Sequence, residues 1–228
     1  MTKKEFSMKG SEILAHVDHT LLRPTASWEE IKTLLQEAKN CHTASVCLPA
    51  AYVAPAYQAC GGDVPIGTVV GFPLGYDTAE TKISAARQAI NHGAAEVDAV
   101  VNLTDVKNGA FDEVTAEIAA LKKAVGAHIL KIIIETCYLT EKEKIALCRC
   151  VTDGGADFIK TSTGFGPAGA AHEDIALFRR HIGPKVRIKA AGGIRTIADM
   201  KRYLEEGCQR LGCSAAVGLL QGRENEDF

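Results

Sequence analysis

Two lysines occupy matching positions in neighbouring stretches of the sequence, "FIKTSTG" and "RIKAAGG". Lys160 and Lys189 each follow an apolar residue typical of a buried strand, and small residues and glycine come after them. A buried ammonium group is costly unless it is paired, solvated or used in chemistry. If both amines lie in one interior about 6 Å apart, their repulsion lowers one pKa by roughly two units at an effective dielectric constant near 20. We therefore expect one partly uncharged amine near pH 7, which suits a nucleophile that attacks a carbonyl.

Three further charged residues lie within apolar strand-like stretches. Asp98 in "EVDAVVN" comes two repeating units before Lys160. It is either a buried acid paired with a lysine or the carboxylate that moves a proton once an imine has formed, and both can hold together. Lys131 in "ILKIIIET" and Asp18 in "HVDHTLL" are candidates for the same charged cluster.

Glycine-rich stretches follow the last strands of the series, in "STGFG", "AAGGIR" and "RLGCS". In parallel barrels, such loops often bind phosphate through backbone N–H groups. The predicted phosphate-binding residues are Gly164, Gly192, Gly193, Gly212 and Ser214. Together with the lysines, these residues indicate a phosphorylated carbonyl substrate.

Other residue types give weaker indications. Cys47 in "SVCLPAAY" could face the barrel mouth, although a buried thiol is the favoured interpretation, and Thr163 is a further supporting candidate. The seven histidines form no HExxH or similar array, so we predict no metal site. Eight cysteines without a tight CxxC pair, in a long chain without an apolar leader, favour free thiols in a reducing cytoplasm.

The composition bounds the class of protein. The chain has 228 residues, of which 46% are apolar and 24% charged, and a net charge of −2. These values are typical of a globular protein and argue against a broad nucleic-acid or membrane surface. Since no apolar run reaches the roughly 18 residues that cross a bilayer, we expect a cytoplasmic protein.

A repeating unit of strand and helix positions these residues. Eight apolar strands are predicted near residues 17, 46, 69, 99, 133, 159, 189 and 212. Glycines predicted to end helices in the left-handed conformation are Gly93, Gly126, Gly155, Gly183 and Gly207. Capping-box spacing marks helix starts at Ser27 with Glu30 and at Thr140 with Glu143.

Eight such units favour an α/β fold, a (β/α)8 TIM barrel, with a doubly wound open sheet as the alternative. We expect a single domain over residues 1–228, in which residues 1–12 form a short N-terminal extension or a helix.

Several of the motifs quoted above, in their order along the chain, resemble those of the deoxyribose-phosphate aldolases, which are class I aldolases. The resemblance runs from about residue 13 to 220, and "KTSTGF" followed by "KAAGGIRT" is its most specific part. It implies reversible cleavage of 2-deoxy-D-ribose 5-phosphate to D-glyceraldehyde 3-phosphate and acetaldehyde, in deoxyribonucleotide catabolism, without a cofactor. It also implies small phosphosugar and aldehyde substrates and a homodimer or homotetramer.

The resemblance assigns roles to the residues that match the family's motifs. Lys160 would form the Schiff base, Lys189 would lower its pKa and assist proton transfer, and Asp98 would relay protons through a water. The glycines named above and Ser214 would hold the phosphate.

The chain departs from the commoner family patterns at three places. Leu48, Pro49 and Ala50 follow Cys47 where Val-Asn-Pro is common, Ala215 replaces a second serine, and the terminal Phe228 has no hydroxyl. Other interpretations are another Schiff-base aldolase, a phosphosugar isomerase, and an inactive barrel that only binds a phosphosugar.

Overall fold

The computed structural model describes residues 6–228, which form a single-domain α/β barrel. Eight parallel strands pair in chain order, and β1 pairs with β8 to close the sheet. The strands are β1 Val17–Thr20, β2 Ser45–Leu48, β3 Ile66–Val70, β4 Glu96–Val100, β5 Ile129–Ile133, β6 Phe158–Lys160, β7 Arg187–Ala191 and β8 Arg210–Cys213. The predicted TIM barrel is confirmed, and the closure excludes the open sheet.

Within residues 6–228, ten helices surround the barrel or connect its strands. They are α1 Gly10–Leu14, α2 Trp28–Cys41, α3 Val53–Cys60, α4 Ala79–Asn91, α5 Leu103–Lys107, α6 Phe111–Val125, α7 Glu141–Asp153, α8 His172–His181, α9 Ile197–Glu205 and α10 Ala216–Leu220. Two 3₁₀ turns, Ala50–Tyr52 and Thr136–Tyr138, complete the regular structure of the described residues.

The N-terminal segment is described only in part. Residues 1–5 of the expected extension lie outside the described residues, and α1 begins at Gly10. Met8 and Phe228 exchange two backbone hydrogen bonds, of 3.2 and 3.0 Å, so the last residue lies against this segment. The ring of Phe228 also packs under the guanidinium group of Arg223, at 4.9 Å.

The predicted helix starts are confirmed. Ser27 and Glu30 form a capping box at the start of α2, and Thr140 and Glu143 form one at the start of α7. In each box the hydroxyl accepts a hydrogen bond from the backbone N–H three residues later, and the glutamate accepts one from the cap residue's N–H. These bonds satisfy N–H groups that an open helix end leaves unpaired.

The prediction of left-handed glycines is wrong at Gly183, and at Gly126 only φ is as predicted, because ψ is −122°. Positive φ angles occur at Gly93, Gly126, Gly155 and Gly207. Gly183 is different, because α8 ends at His181 and the next residue is already extended. A Cβ atom at Gly183 would lie 2.4 Å from Cγ2 of Thr152, so close packing against α7 requires the glycine there.

An alternating pattern separates the outside of the sheet from the barrel interior. Leu130, Ile159 and Leu211 are fully buried and belong to the apolar core of the domain. Their neighbours in the strands point to the other face, as the period of two requires. That interior face carries most of the buried charge of the protein.

Residues facing the interior form tiers, with alternate strands contributing to each, as expected for this fold. Of the three tiers that carry the charged residues, the upper tier lies towards the carboxyl ends of the strands and contains Cys47, Asp98, Lys160 and Gly212. The lower tier contains the residues two positions earlier on the same strands, Ser45, Glu96, Phe158 and Arg210. The middle tier contains Asp18, Lys131 and Lys189, from β1, β5 and β7.

Within residues 6–228, none of the helices combines the length and apolar character that a bilayer crossing requires. All eight cysteines are free thiols, and six of them are buried.

Candidate active site

Two lysine amines meet at one carboxylate in the barrel interior. Lys160 Nζ lies 2.8 Å and Lys189 Nζ lies 2.7 Å from the same atom, Oδ2 of Asp98. All three side chains are at most 4% exposed. The strand register explains the meeting, because Lys160 on β6 lies directly opposite Lys189 on β7.

The surroundings of the two amines shift their pKa values in opposite directions. Burial lowers the pKa of Lys160, and the nearby positive charge of Lys189 adds to this, so the pKa lies below its ordinary value of 10.5 despite the attraction of Asp98. Burial also acts on Lys189, but the carboxylates of Asp18 and Asp98 outweigh it and hold the pKa of that amine above its ordinary value. Lys160 is therefore the amine that loses its proton more readily.

Asp98 stays ionised because it is surrounded by cations. Burial alone would raise its pKa, yet Lys131, Lys160 and Lys189 hold the pKa well below the ordinary value of 3.8. Its second oxygen, Oδ1, accepts a hydrogen bond from Lys131 at 2.8 Å. A carboxylate that is ionised at rest and in direct contact with Lys160 can accept a proton from it during the reaction and then return it.

Asp18 and Lys131 join the cluster, as the sequence suggested. Lys189 Nζ donates to Asp18 Oδ2, and Ser45 Oγ donates to Asp18 Oδ1 at 2.7 Å. Lys131 lies 3.6 Å from Asp18 and is held more closely by Asp98. Asp18 thus gives Lys189 a second negative partner, which Lys160 lacks within the described structure.

The lower tier supplies an ion pair that sequence reasoning missed. Arg210 contacts Glu96 through both terminal nitrogens, at 2.9–3.1 Å, and its Nη1 also donates to Asp18. Glu96 in turn accepts a hydrogen bond from Lys131. The only sequence signal for Glu96 is its position two residues before Asp98, on the same strand face.

A cavity of about 390 Å³ opens above Lys160. The predicted phosphate-binding residues all line it: Gly164, Gly192, Gly193, Gly212 and Ser214. Positive φ angles at Gly164, Gly192 and Gly193 require glycine in these loops. Because Lys160 and the glycine loops share one cavity, a single small ligand can reach both.

Gly212 has a different constraint. A Cβ atom there would lie 2.9 Å from Cβ of Ala191 and 3.2 Å from Cε of Lys189. The absence of a side chain on β8 therefore leaves room for the Lys189 side chain to cross the barrel towards Asp98.

The β6–α8 loop, residues 161–171, is fastened at both sides of the cavity. The N–H of Ala170 donates to the carbonyl groups of Ala191 and Gly192, at 3.0 and 3.1 Å. The N–H and hydroxyl of Thr163 donate to the buried carboxylate of Glu135, whose φ of 51° is left-handed. Thr163 thus lines the cavity from a loop that two neighbouring strands hold in place.

Cys47 lies in the upper tier and is 2% exposed. Burial raises the pKa of its thiol to about 11, so the thiol is protonated near neutral pH. The structure therefore agrees with the buried-thiol interpretation.

The sequence analysis also missed two arginines at the cavity wall. Arg23 in the β1–α2 loop and Arg195 before α9 both line the cavity. Arg23 is held by the carbonyl and hydroxyl of Thr25, at 3.1 and 3.0 Å. Arg195 adds positive charge near the predicted phosphate site, whereas Arg23 is paired with the carboxylate of Glu30. The residues 6–228 contain no group of three or more His, Cys, Asp and Glu side chains placed to hold a metal ion.

The sequence of this chain matches one aldolase family over most of its length. Residues 12–225 match the model of the DeoC/LacD family aldolases. A deoxyribose-phosphate aldolase from Clostridium botulinum strain Alaska E43 is 57% identical over 221 residues, which cover 97% of this chain and all of the relative. One from Clostridioides difficile strain 630 is 50% identical over 216 residues, covering 95% and 99%.

Solved structures agree with this grouping. A candidate deoxyribose-phosphate aldolase from Coccidioides immitis superimposes with a TM-score of 0.91 at 35% identity, covering 96% of this chain and 91% of the other. The tetrameric deoxyribose phosphate aldolase from Aeropyrum pernix gives 0.84 at 27% identity, covering 93% and 91%. The fold, the interior lysines and these similarities lead to one conclusion: the chain belongs to the DeoC/LacD family of aldolases.

Proposed function

We propose that this protein is a class I deoxyribose-phosphate aldolase in which Lys160 forms the Schiff base. The observation that carries the proposal is that Lys160 and Lys189 share Asp98 at the floor of a cavity lined by glycine loops. Close relatives with this activity cover nearly the whole chain, which supports the same reaction here.

The first step is attack of the neutral Lys160 amine on the aldehyde carbon of open-chain 2-deoxy-D-ribose 5-phosphate. A nitrogen–carbon bond forms, and loss of water then gives a protonated imine. Burial and the charge of Lys189 supply the neutral amine by lowering the pKa of Lys160.

The carbon–carbon bond then breaks between the second and third carbons of the sugar. The protonated imine accepts the bonding electrons, so the leaving group is a neutral enamine instead of an enolate. The hydroxyl on the third carbon loses its proton and becomes the aldehyde of glyceraldehyde 3-phosphate. Protonation of the enamine carbon and hydrolysis of the imine release acetaldehyde and restore the amine.

Asp98 and Lys189 handle the protons of these steps. Asp98 is an ionised carboxylate within 2.8 Å of the Lys160 amine, so it can accept a proton directly or through one water. Lys189 remains charged and hydrogen-bonded to the same oxygen, and it can return a proton to the cluster. Asp18 and Lys131 keep these two side chains in position.

The glycine loops bind the phosphate group of the substrate. Gly164, Gly192, Gly193 and Gly212 bring backbone to the cavity without side chains, and Ser214 is exposed on its wall. Backbone N–H groups and a hydroxyl are suitable donors to a phosphate. Thr163 supports the wall of the cavity, and the buried Cys47 faces the interior beside Lys160.

The decisive experiment traps the imine. The protein is incubated with acetaldehyde and borohydride, and the modified peptide is identified by mass spectrometry. We expect a single ethyl adduct on Lys160, and borohydride with deoxyribose 5-phosphate in place of acetaldehyde should modify the same lysine. Modification elsewhere, or none at all, would contradict a Schiff base at this lysine.

This experiment and an assay of glyceraldehyde 3-phosphate release together separate the alternatives. A phosphosugar isomerase needs no lysine that reacts covalently with acetaldehyde, and an inactive barrel would bind a phosphosugar without turnover. Another Schiff-base aldolase would be trapped at Lys160 but would not release glyceraldehyde 3-phosphate from deoxyribose 5-phosphate.

The quaternary structure and location are part of the proposal. The relative from Aeropyrum pernix is tetrameric. We propose a cytoplasmic homodimer or homotetramer, for which light scattering coupled to size-exclusion chromatography gives the subunit number directly.

A further inference from the structure

The interior ion-pair network contains one more cation than anions. Its cations are Lys131, Lys160, Lys189 and Arg210, and its anions are Asp18, Glu96 and Asp98. All seven side chains are at most 10% exposed, so bulk water screens them little. In such a network the least stabilised proton is the one that leaves first.

The contacts show which cation is least stabilised. Lys131 and Lys189 each lie near two or more of the acids, and Arg210 is bound by Glu96 and Asp18. Lys160 contacts one acid, Asp98, and shares it with both other lysines. The excess charge of the network is therefore relieved at Lys160.

Arg210 is the cation that creates the excess without taking part in the chemistry. It lies in the lower tier, at the amino end of β8, and does not line the cavity above Lys160. It occupies Glu96 and one oxygen of Asp18, which would otherwise be available to the lysines. Its guanidinium group is also over the ring of Phe158, 5.5 Å from the centroid, two residues before Lys160 on β6.

Building on the Schiff-base function proposed above, we propose that Arg210 favours the unprotonated form of the Lys160 amine. It does so by supplying the excess positive charge of the interior network. Arg210 acts through the network and does not touch the substrate. Arg210 is the first residue of the motif "RLGCS", from which the sequence analysis took only Gly212 and Ser214 as functional residues.

Other charged or titratable groups near the two residues do not remove the excess. Cys47 faces Lys160 from β2 as a neutral thiol. Glu135 is buried beyond β5, but its oxygens are bound by Thr163, and it forms no ion pair in the described structure. The guanidinium group of Arg187 stacks on the ring of Phe158, 4.0 Å from its centroid. Because Arg187 is exposed, solvent screens its charge.

The size of the effect follows from the geometry. Phe158 and Lys160 are two residues apart on a strand, or about 7 Å, and the guanidinium carbon of Arg210 is 5.5 Å from the ring of Phe158. A unit charge on the order of 10 Å away, at an effective dielectric constant near 20, moves a pKa by about one unit. The acid limb of the activity profile should move by the same amount.

Four variants form a charge-balance cycle. Arg210→Met removes a cation, Glu96→Gln removes an anion, the double variant removes both, and Arg210→Lys keeps the charge. For each variant, kcat/KM for deoxyribose 5-phosphate is measured from pH 5 to 9. The rate at which borohydride traps the imine formed with acetaldehyde is measured over the same range. The acid limb of kcat/KM reports the free enzyme's essential base.

We expect Arg210→Met to move the acid limb up by about one pH unit, giving about tenfold lower kcat/KM at pH 6 and an unchanged plateau at high pH. Glu96→Gln should move the limb down, while the double variant and Arg210→Lys should follow the wild type. If Arg210→Met does not fold, the opposite shift in Glu96→Gln and its cancellation in the double variant still test the proposal.

A purely structural role for Arg210 would give a different pattern. Equal shifts in Arg210→Met and Arg210→Lys, a loss of activity that is uniform with pH, or failure of the double variant to restore the limb would each overturn the proposal. Wild-type protein that is not trapped at Lys160 would instead contradict the Schiff-base function. Normal trapping with coincident acid limbs in all variants would overturn the role of Arg210 alone.

Discussion

Lys160 and Lys189 donate hydrogen bonds to the same oxygen, Oδ2 of Asp98, at 2.8 and 2.7 Å. The two amines differ in their other partners, because Lys189 also pairs with Asp18. This difference makes one lysine the stable cation and the other the amine that can lose its proton. The following predictions test the consequences for activity and stability.

Lys160→Leu should abolish turnover and raise the stability of the fold. The pKa of Lys160 is lowered in the folded state, so its protonated form is less favourable there than in the unfolded chain. Removing it should therefore raise the melting temperature at pH 7 by a few degrees, for about 1 kcal/mol of unfolding free energy. The gain should shrink as pH rises towards the ordinary lysine value of 10.5. Scanning calorimetry checks this, with the exposed Lys123→Leu as a control expected to match the wild type.

Lys189→Leu should have the opposite effect on stability. It leaves Asp18 and Asp98 buried with fewer cations, a loss that costs about 3–5 kcal/mol when one partner of a buried pair is removed. Without the neighbouring positive charge, the pKa of Lys160 should rise, so activity is either nearly abolished or moved to higher pH. Urea unfolding and a pH–rate profile measure both effects. An unchanged profile in a folded variant would refute the pKa tuning.

The unfolding free energy should fall in acid because the interior acids must become protonated. The pKa values of Asp18 and Asp98 are both held below 3.8 by the surrounding lysines and, for Asp18, by Arg210, although burial opposes this. Their contribution is complete above the unfolded-state value, about 3.9, and is lost as pH falls towards the folded-state values. Urea titrations between pH 2 and 7 should show a smaller pH dependence for Asp18→Asn than for the wild type. The exposed Asp77→Asn should keep the wild-type slope.

Ala215→Ser should improve phosphate binding. Ala215 lines the cavity next to Ser214, so a second hydroxyl there adds one donor to the site. A hydrogen bond to a charged group contributes about 1.5–3 kcal/mol, part of which is lost to ordering the side chain. We expect KM for deoxyribose 5-phosphate to fall by about 3- to 10-fold, with little change for unphosphorylated deoxyribose. Equal changes for both sugars would place the effect outside the phosphate site.

Gly169→Ala should damage the site through the backbone. A Cβ atom at Gly169 would lie 2.2 Å from the carbonyl oxygen of Gly192, where the β6–α8 loop crosses the end of β7. Displacing this contact should lower kcat/KM by roughly 10- to 100-fold, as misplacement of about 1 Å does. Gly218→Ala meets nothing within 4 Å and serves as the matched control. Wild-type kinetics in Gly169→Ala would show that the crossing is not needed.

Local patterns were sufficient to predict the elements and the upper tier. The predicted strand centres lie within or beside the observed strands, and the matched lysine motifs lie on adjacent strands. The roles assigned to these residues stay predictions, as does the cause of the lysine pKa shift in solution. Burial contributes more to that shift than the repulsion between lysines from which the sequence argument began.

Contacts between residues far apart in the chain could not be predicted from local sequence patterns. Arg210 and Glu96 are 114 residues apart, and only barrel closure brings β8 and β4 to the same tier. Gly183 was misinterpreted because its requirement comes from Thr152 of another helix, not from its own turn. The αL residue His42, which ends α2 without a glycine, gave no signal of this kind.

The stacked tiers limit what can be transplanted. Suppose that Lys160, Lys189 and Asp98 are grafted onto another eight-stranded barrel whose lower interior is apolar. The positions of the three side chains would be kept, but the buried charges around them would be lost. The imported amine would then stay protonated or collapse into a simple salt bridge. The portable unit of this enzyme is the column of side chains beneath the reaction, down to Glu96 and Arg210.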